Sequence, residues 1–230
     1  MTILCDLAKK YGTDKVTNGY TTHYHRALEA IRNRDNEPVK ILEIGIWKGA
    51  SLLMWEEYFP NGIIYGIDNG HHDSIRWDYD GHRIQTLKAE QTDRKALLNF
   101  AKEFGPFDLI VDDGAHTQPA QQVSFGCLIP HVGLCGRYII EDLATPYNWA
   151  KEGFTWGRKD IPGFRDSTLV QFYDWKEGFT EKYQSRYMTH EENDWINSCI
   201  GKDDCKIIYS KDETSDPYHY GGPTTIIVRK

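Results

Sequence analysis

An apolar run that ends directly in charged residues constrains this chain more than any other feature. Phe107-Asp-Leu-Ile-Val111 carries three consecutive apolar residues, and Asp112-Asp-Gly-Ala-His116 follows without a spacer. Consecutive apolar residues are typical of a strand in a parallel sheet that is covered on both faces. In open α/β sheets, ligands bind at the carboxyl ends of such strands. The run therefore predicts an α/β fold with carboxylates and an imidazole at its ligand-binding edge.

Strand and helix patterns alternate on both sides of this run. Strands are predicted at 39–45, 63–68, 83–88, 107–111 and 137–142, and an antiparallel pair at 205–210 and 224–229 closes the chain. Helices are predicted at about 22–32, after Gly49, at 93–104 with Thr92 as the cap, and from about Thr117. The predicted fold is a Rossmann-like, seven-stranded, mostly parallel sheet with helices on both faces and a C-terminal antiparallel hairpin.

The length of 230 residues predicts a single domain spanning 1–230. Residues 1–37 are predicted to form an N-terminal helical cap, because apolar residues recur there at helical spacing. Residues 143–204 are aromatic and rich in glycine, without clear periodicity. They are interpreted as a substrate lid or insertion, or equally as an irregular packing layer. Their aromatic residues are also compatible with a homo-oligomer.

Composition excludes several kinds of partner. The net charge of −7 and the absence of any Lys/Arg run argue against nucleic acid. No stretch approaches the roughly 18 apolar residues of a membrane span, which argues against a membrane. Five scattered cysteines without a C-x-x-C pair suggest neither a disulfide framework nor a zinc ribbon. The sequence therefore predicts a soluble, cytoplasmic protein with a small-molecule partner.

A glycine loop follows the first predicted strand. Gly45 permits a tight turn, and Gly49 allows close approach at the start of a helix whose N–H groups are unpaired. A dinucleotide fingerprint needs a second glycine where this chain has Trp47, so an NAD-dependent dehydrogenase is the weakest alternative. Asp68 ends the next strand and is suitably placed for the hydroxyls of an adenosine ribose. The alternative is a loop with two purely structural glycines.

Further residues around this loop complete the predicted cofactor site. Gln91 falls where a third loop would reach the adenine, and Tyr20 belongs to an aromatic cluster that could flank the pocket or simply pack on a helix face. The full predicted cofactor-binding set is Glu43, Gly45, Gly49, Ser51, Asp68, Gln91, Asp112 and Tyr20.

Several motifs together resemble known enzymes. Glu43-x-Gly-x-x-x-Gly49, Asp68, the alternating β/α units and the terminal hairpin are similar to the class I S-adenosylmethionine-dependent methyltransferases. Shorter motifs resemble, more narrowly, the metal-dependent sugar O-methyltransferases of macrolide and related natural-product pathways. These are Gly12-Thr-Asp-Lys15, Gly19-Tyr20, Glu90-Gln-Thr-Asp93, Val111-Asp-Asp-Gly-Ala-His116 and Ile140-Glu-Asp142.

The resemblance implies specific roles at the strand ends. Asp113, Glu141 and Asp142 match the family's magnesium ligands, and His116 matches its general base. The chemistry agrees, because a hydroxyl must be acidified before it attacks a sulfonium methyl group, and Mg²⁺ prefers such oxygen ligands. With no soft ligand among them, Mg²⁺ is favoured over zinc. Helix caps or salt-bridge partners are the structural alternative for these acids.

The predicted function is therefore Mg²⁺-dependent O-methylation by S-adenosyl-L-methionine. The predicted acceptor is a hydroxyl of a sugar or glycosylated metabolite that carries a vicinal diol. A catechol-type small-molecule O-methyltransferase is a second enzyme hypothesis. A non-catalytic cofactor-binding or scaffold protein is the alternative from a different class.

Overall fold

The computed structural model describes residues 2–34, 37–143, 185–199, 205–210 and 225–229. Its strands are β1 Val39–Ile44, β2 Gly62–Asp68, β3 Ile84–Lys88, β4 Phe107–Asp112, β5 Val132–Ile140, β6 Cys205–Ser210 and β7 Thr225–Arg229. Its helices are α1 Ile3–Tyr11, α2 Tyr20–Arg32, α3 Ala50–Tyr58, α4 Arg94–Phe104, α5 Gln118–Leu128 and α6 His190–Cys199. Most of the predicted lid, residues 144–184 and 200–204, lies outside the described residues.

All seven strands join one sheet in the order β3-β2-β1-β4-β5-β7-β6. Strands β1 to β5 pair in parallel, whereas β7 is antiparallel to both β5 and β6. The predicted α/β fold with its mostly parallel sheet and C-terminal antiparallel pair is thus confirmed. Strand order reverses between β1 and β4, and the crevice beyond their carboxyl ends is where doubly wound folds bind ligands.

Strand β4 is buried on both faces. Leu109 and Val111 pack into the apolar layer that contains α1, α2 and α3. Ile110 points to the opposite layer, which contains α4, α5 and Ile196 of α6. None of these three β4 side chains is exposed, as the consecutive apolar residues predicted.

Several element boundaries differ from the sequence prediction, and β5 begins at Val132 rather than at Arg137. Helix α2 begins at Tyr20, two residues early. The cap of α4 is Asp93 rather than Thr92, because the Asp93 carboxylate accepts a hydrogen bond from the N–H of Ala96 at 3.1 Å. Strand β5 ends at Ile140, so Glu141 and Asp142 follow the strand instead of belonging to it. The left-handed backbone of Asp142, with φ 53°, is incompatible with an extended strand.

The helices and cysteines add two further observations. No helix in the described ranges combines the length and the apolar character that a membrane crossing requires. The described thiols, those of Cys5, Cys127, Cys135 and Cys199, are all free.

Candidate active site

The glycine loop after β1 lies directly against the loop after β4. Gly45 has φ 94°, and a Cβ at this position would lie 2.1 Å from the backbone oxygen of Asp113. Only glycine permits this approach, since both the backbone angle and the contact exclude a side chain. The close approach brings the predicted cofactor loop next to the predicted metal ligand.

Asp68 organises the same loop through its carboxylate. One oxygen, Oδ2, accepts hydrogen bonds from the N–H groups of Ile46 at 2.9 Å and Trp47 at 3.3 Å. The other, Oδ1, accepts from the N–H of Gly70 at 2.9 Å. The carboxylate therefore stands beside the glycine loop at the end of β2, as predicted, and also fixes the shape of that loop.

Asp112 and Gln91 form a buried support beneath the β4 loop. Gln91 donates to Oδ1 of Asp112 at 2.7 Å and accepts from the N–H of Ala115 at 2.9 Å. Ser124 of α5 donates to Oδ2 of Asp112 at 2.5 Å. Burial raises the pKa of Asp112 to about 6, although these hydrogen bonds favour the charged form. Asp112 has no exposed surface, so its described contacts are structural.

Asp113, His116 and Asp142 converge at the carboxyl edge of the sheet. One potential ligand atom from each lies within 4.8 Å of the others. His116 Nε2 is 3.6 Å from Oδ1 of Asp113 and 3.7 Å from Oδ2 of Asp142. Each of the three side chains is about one-fifth exposed, at 21–23%. This cluster is therefore open to a ligand while held on a rigid edge.

Lys15 is the major site residue to which the sequence pattern assigned no role. Its ammonium group is completely buried and lies 2.6 Å from Asp113 Oδ2, 2.8 Å from Glu141 Oε1 and 3.2 Å from Glu43 Oε1. The only sequence signal was its place in the Gly12-Thr-Asp-Lys15 motif. Glu141 thus faces an ammonium group and is only 2% exposed. Of the three predicted metal ligands, the structure groups Asp113 and Asp142 with His116 and pairs Glu141 with Lys15.

Charge is unevenly distributed around this ammonium. Burial alone would lower the pKa of Lys15, but Asp113, Glu141 and Glu43 raise it well above its ordinary value. Burial raises the pKa of Glu43 to about 7, and burial together with Asp113 raises the pKa of Glu141. Four carboxyl groups, the fourth being that of Asp142, share one ammonium, so acidic groups outnumber basic ones in this cluster. The oxygen-rich donors and this excess of acidic groups fit a hard divalent cation.

The remaining predicted cofactor residues lie close to this cluster. Tyr20 donates its hydroxyl hydrogen bond to Oδ1 of Asp142 at 2.7 Å. Ser51, in the first turn of α3, hydrogen-bonds to Glu43, and Trp55 of the same helix donates to Glu43 Oε2 at 3.2 Å. A Cβ on Gly49 would lie 1.9 Å from the hydroxyl oxygen of Tyr79. The predicted site residues thus occupy one continuous region.

Curated relatives of this chain are O-methyltransferases by name, whereas no protein-family model matches it. Mycinamicin VI 2''-O-methyltransferase from Micromonospora griseorubida is 38% identical over 156 residues, covering 63% of this chain and 37% of that protein. Demethylmacrocin O-methyltransferase from Streptomyces fradiae is 38% identical over 176 residues, covering 73% of this chain and 42% of that protein. The chain spans about two-fifths of the length of these relatives.

Solved structures agree in fold. The MycE methyltransferase from the mycinamycin pathway, in complex with Mg, S-adenosylhomocysteine and mycinamycin VI, has a TM-score of 0.69 at 28% identity. The match covers 99% of this chain and 54% of MycE. The chain belongs to the class I S-adenosylmethionine-dependent methyltransferases. The O-methyltransferase TomG from Streptomyces achromogenes has a TM-score of 0.51 at 12% identity. The match covers 100% of this chain and 90% of TomG, and it supports only the fold.

Proposed function

We propose that this class I methyltransferase transfers a methyl group from S-adenosyl-L-methionine to a hydroxyl of a sugar or glycosylated metabolite, with Mg²⁺ as the activating ion. The observation that carries the proposal is the convergence of Asp113, His116 and Asp142 beside the glycine loop. The names of the curated relatives and the ligands of MycE support the same chemistry.

The two halves of the site divide the work. Gly45, Gly49 and Asp68 form the cofactor side, where backbone N–H groups and a carboxylate receive the nucleoside and amino-acid parts of the methyl donor. Asp113 and Asp142 would hold the divalent ion, with Glu141 beside them. When bound, the ion supplies Lewis acidity, which lowers the pKa of an acceptor hydroxyl.

His116 is assigned as the general base. Its Nε2 atom points between the carboxylates of Asp113 and Asp142, so a hydroxyl that reaches this position meets a proton acceptor. Its Nδ1 atom is buried and has no hydrogen-bond partner among the described residues. Nε2 is therefore the atom that takes the proton in this proposal. General-base catalysis of this kind contributes roughly 10²–10⁴ in rate.

The test is a methylation assay with Mg²⁺, S-adenosylmethionine and a panel of diol-bearing glycosides and catechols, read by mass spectrometry. We expect product from glycosides, loss of product in EDTA, and a fall in kcat of about 10²–10⁴ for His116→Ala. Asp113→Asn is expected to lose metal-dependent turnover while retaining S-adenosylhomocysteine binding. His190→Ala provides the matched control, because His190 is exposed on α6 and outside the site.

Two results would contradict the proposal. Full activity in EDTA or in His116→Ala would remove the metal-and-base mechanism. Product from catechols alone would move the acceptor to the catechol class.

A further inference from the structure

Lys15 occupies a position that is costly for an ammonium group. Its side chain is 0% exposed, and lysines are almost never fully buried unless they are paired. Its three carboxylate partners come from separate parts of the chain: Glu43 from β1, Asp113 from the loop after β4, and Glu141 from the loop after β5. One side chain therefore joins three segments at the carboxyl edge of the sheet.

Two residues of the N-terminal segment, Lys15 and Tyr20, each donate a hydrogen bond to one oxygen of a carboxylate in the cluster. Asp113 gives Oδ2 to Lys15 at 2.6 Å and turns Oδ1 towards His116. Asp142 gives Oδ1 to the Tyr20 hydroxyl at 2.7 Å and turns Oδ2 towards His116. In both residues one oxygen accepts a hydrogen bond from the N-terminal segment, and the other is the oxygen nearest to His116 Nε2.

The two donors, Lys15 and Tyr20, are themselves held in place by their surroundings. Lys15 lies in a short 3-10 turn, Asp14–Val16, where its N–H meets the hydroxyl of Thr13. Tyr20 is the first residue of α2, is 1% exposed, and stacks on Tyr24 with ring centroids 5.8 Å apart. A rigid donor can select the rotamer of a carboxylate, whereas a mobile surface donor cannot.

We propose that Lys15 and Tyr20 are positioning residues that select which oxygen of Asp113 and of Asp142 is presented to the divalent ion. The inference rests on the proposed function, because it concerns the metal site used there. It assigns Tyr20 to the metal side of the site, whereas the sequence placed it with the cofactor. Partners that orient metal ligands in this way typically contribute 10–100-fold to metal affinity.

A competing interpretation gives Lys15 the opposite effect. An ammonium group among carboxylates also repels a second cation, so its removal would strengthen metal binding if charge alone decided the outcome. The two interpretations predict changes of opposite sign in metal affinity. Tyr20 is neutral and separates them further, because its removal changes orientation without changing charge.

The experiment measures binding of Mn²⁺, as a probe for Mg²⁺, by calorimetry in Tyr20→Phe and Lys15→Met. It measures S-adenosylhomocysteine binding separately, without metal. We expect Mn²⁺ affinity to fall about tenfold in Tyr20→Phe and at least as much in Lys15→Met. In Tyr20→Phe, S-adenosylhomocysteine affinity and thermal stability should stay within about twofold and about 2 °C of the wild type.

The chain offers matched controls on its surface. Lys10 and Tyr11 of α1 both hydrogen-bond to the carboxylate of Glu57, so they repeat the lysine–tyrosine–carboxylate chemistry away from the site. Lys10→Met and Tyr11→Phe should leave Mn²⁺ affinity unchanged. These controls separate a local effect from a general loss of charge or of a hydroxyl group.

Each outcome decides the inference. Unchanged or stronger Mn²⁺ binding in Tyr20→Phe would overturn it, even if Lys15→Met fails to fold. Loss of S-adenosylhomocysteine binding in Tyr20→Phe with intact Mn²⁺ binding would return Tyr20 to the cofactor side. If the wild type binds no Mn²⁺, the proposed function and the inference both fail, whereas wild-type binding with unaffected variants removes the positioning role alone.

Discussion

Individual residues at the carboxyl edge adopt backbone conformations that side chains normally avoid. Trp47, His116 and Asp142 have φ values of 44°, 49° and 53°. Such conformations cost on the order of 1–3 kcal/mol each and persist only where surrounding contacts enforce them. Two of these three residues, His116 and Asp142, belong to the cluster of potential metal ligands that they form with Asp113. Of the four non-glycine residues with positive φ in the described ranges, three therefore lie at the edge that carries the charged residues, and the fourth, Cys135, lies within β5.

The contact between Gly49 and Tyr79 gives a prediction at this scale. Gly49→Ala places a Cβ 1.9 Å from the Tyr79 hydroxyl oxygen at a backbone φ of 76°. We expect it to destabilise the protein by about 2 kcal/mol or more, from the clash together with the left-handed conformation. Tyr79→Phe removes the oxygen and should lower the cost of Gly49→Ala by about 1 kcal/mol. Urea unfolding of the four proteins in this double-mutant cycle measures the coupling.

The cycle separates the two causes. The φ penalty remains in both backgrounds, whereas the 1.9 Å contact exists only with tyrosine at position 79, since phenylalanine leaves its nearest ring carbon, Cζ, 3.0 Å away. Strictly additive effects would contradict a close contact between the two residues and leave the backbone angle as the sole cost.

At the scale of elements, helix α3 is anchored to the start of β3. Glu56 accepts a hydrogen bond from the N–H of Arg83 at 2.6 Å and contacts His82 Nδ1 at 2.7 Å. The Arg83 guanidinium donates in turn to the backbone oxygen of Glu56 at 2.7 Å. The anchor fixes the end of the segment between β2 and β3. This segment carries Tyr79, whose hydroxyl lies against Gly49 of the glycine loop. A contact outside the site therefore supports the site's shape.

The anchor predicts a pH-dependent stability. Burial alone would raise the pKa of Glu56, but hydrogen bonds from Arg83 and His82 outweigh it and lower that pKa. A folded-state pKa below the unfolded value stabilises the protein above the unfolded pKa, and this contribution is lost as pH falls through the folded pKa. Glu56→Gln should cost about 1 kcal/mol at pH 7. The difference should begin to shrink as pH falls below about 4.3, the ordinary pKa of glutamate, and vanish below the lowered folded-state pKa.

Urea unfolding at pH 7 and at pH values down to the acid limit of the fold measures this difference. Glu57→Gln serves as the control, because Glu57 is adjacent on α3 but its ion pair with Lys10 is exposed. A cost for Glu56→Gln that is equal at every pH would show that the charge has no part in the anchor.

Elements with local signals were predictable, and contacts between distant residues were not. The β4 run, the Gly45 and Gly49 turn and the acid at Asp68 are readable because periodicity and glycine spacing act within a few residues. The choice of Asp93 over Thr92 depends on one hydrogen bond, and both residue types cap helices well. The role of Lys15 depends on partners 98 and 126 residues away. No local pattern encodes that pairing.

For the whole molecule, binding at the edge must stabilise the fold. A ligand that binds only the folded state adds about 2.7 kcal/mol at about 100 times its Kd. We expect S-adenosylhomocysteine and Mg²⁺ each to raise the unfolding temperature. EDTA should remove only the contribution of the metal. Differential scanning calorimetry with each ligand alone and with both measures these shifts.

Asp113→Asn provides the control for this linkage. It should lose the Mg²⁺ shift while keeping the S-adenosylhomocysteine shift, because Asp68 and the glycine loop are unchanged. Identical Mg²⁺ shifts in both proteins would place the ion elsewhere.

The buried ammonium of Lys15 also sets an order of events during synthesis and refolding. Lys15 leaves the ribosome long before Glu141, its partner 126 residues later. Until that stretch of chain arrives, its amine stays in water and open to acylating reagents. Pulse labelling of amines during refolding should therefore find Lys15 reactive early and shielded late, while the exposed Lys10 stays reactive throughout. This single lysine would report when the carboxyl edge of the sheet has closed.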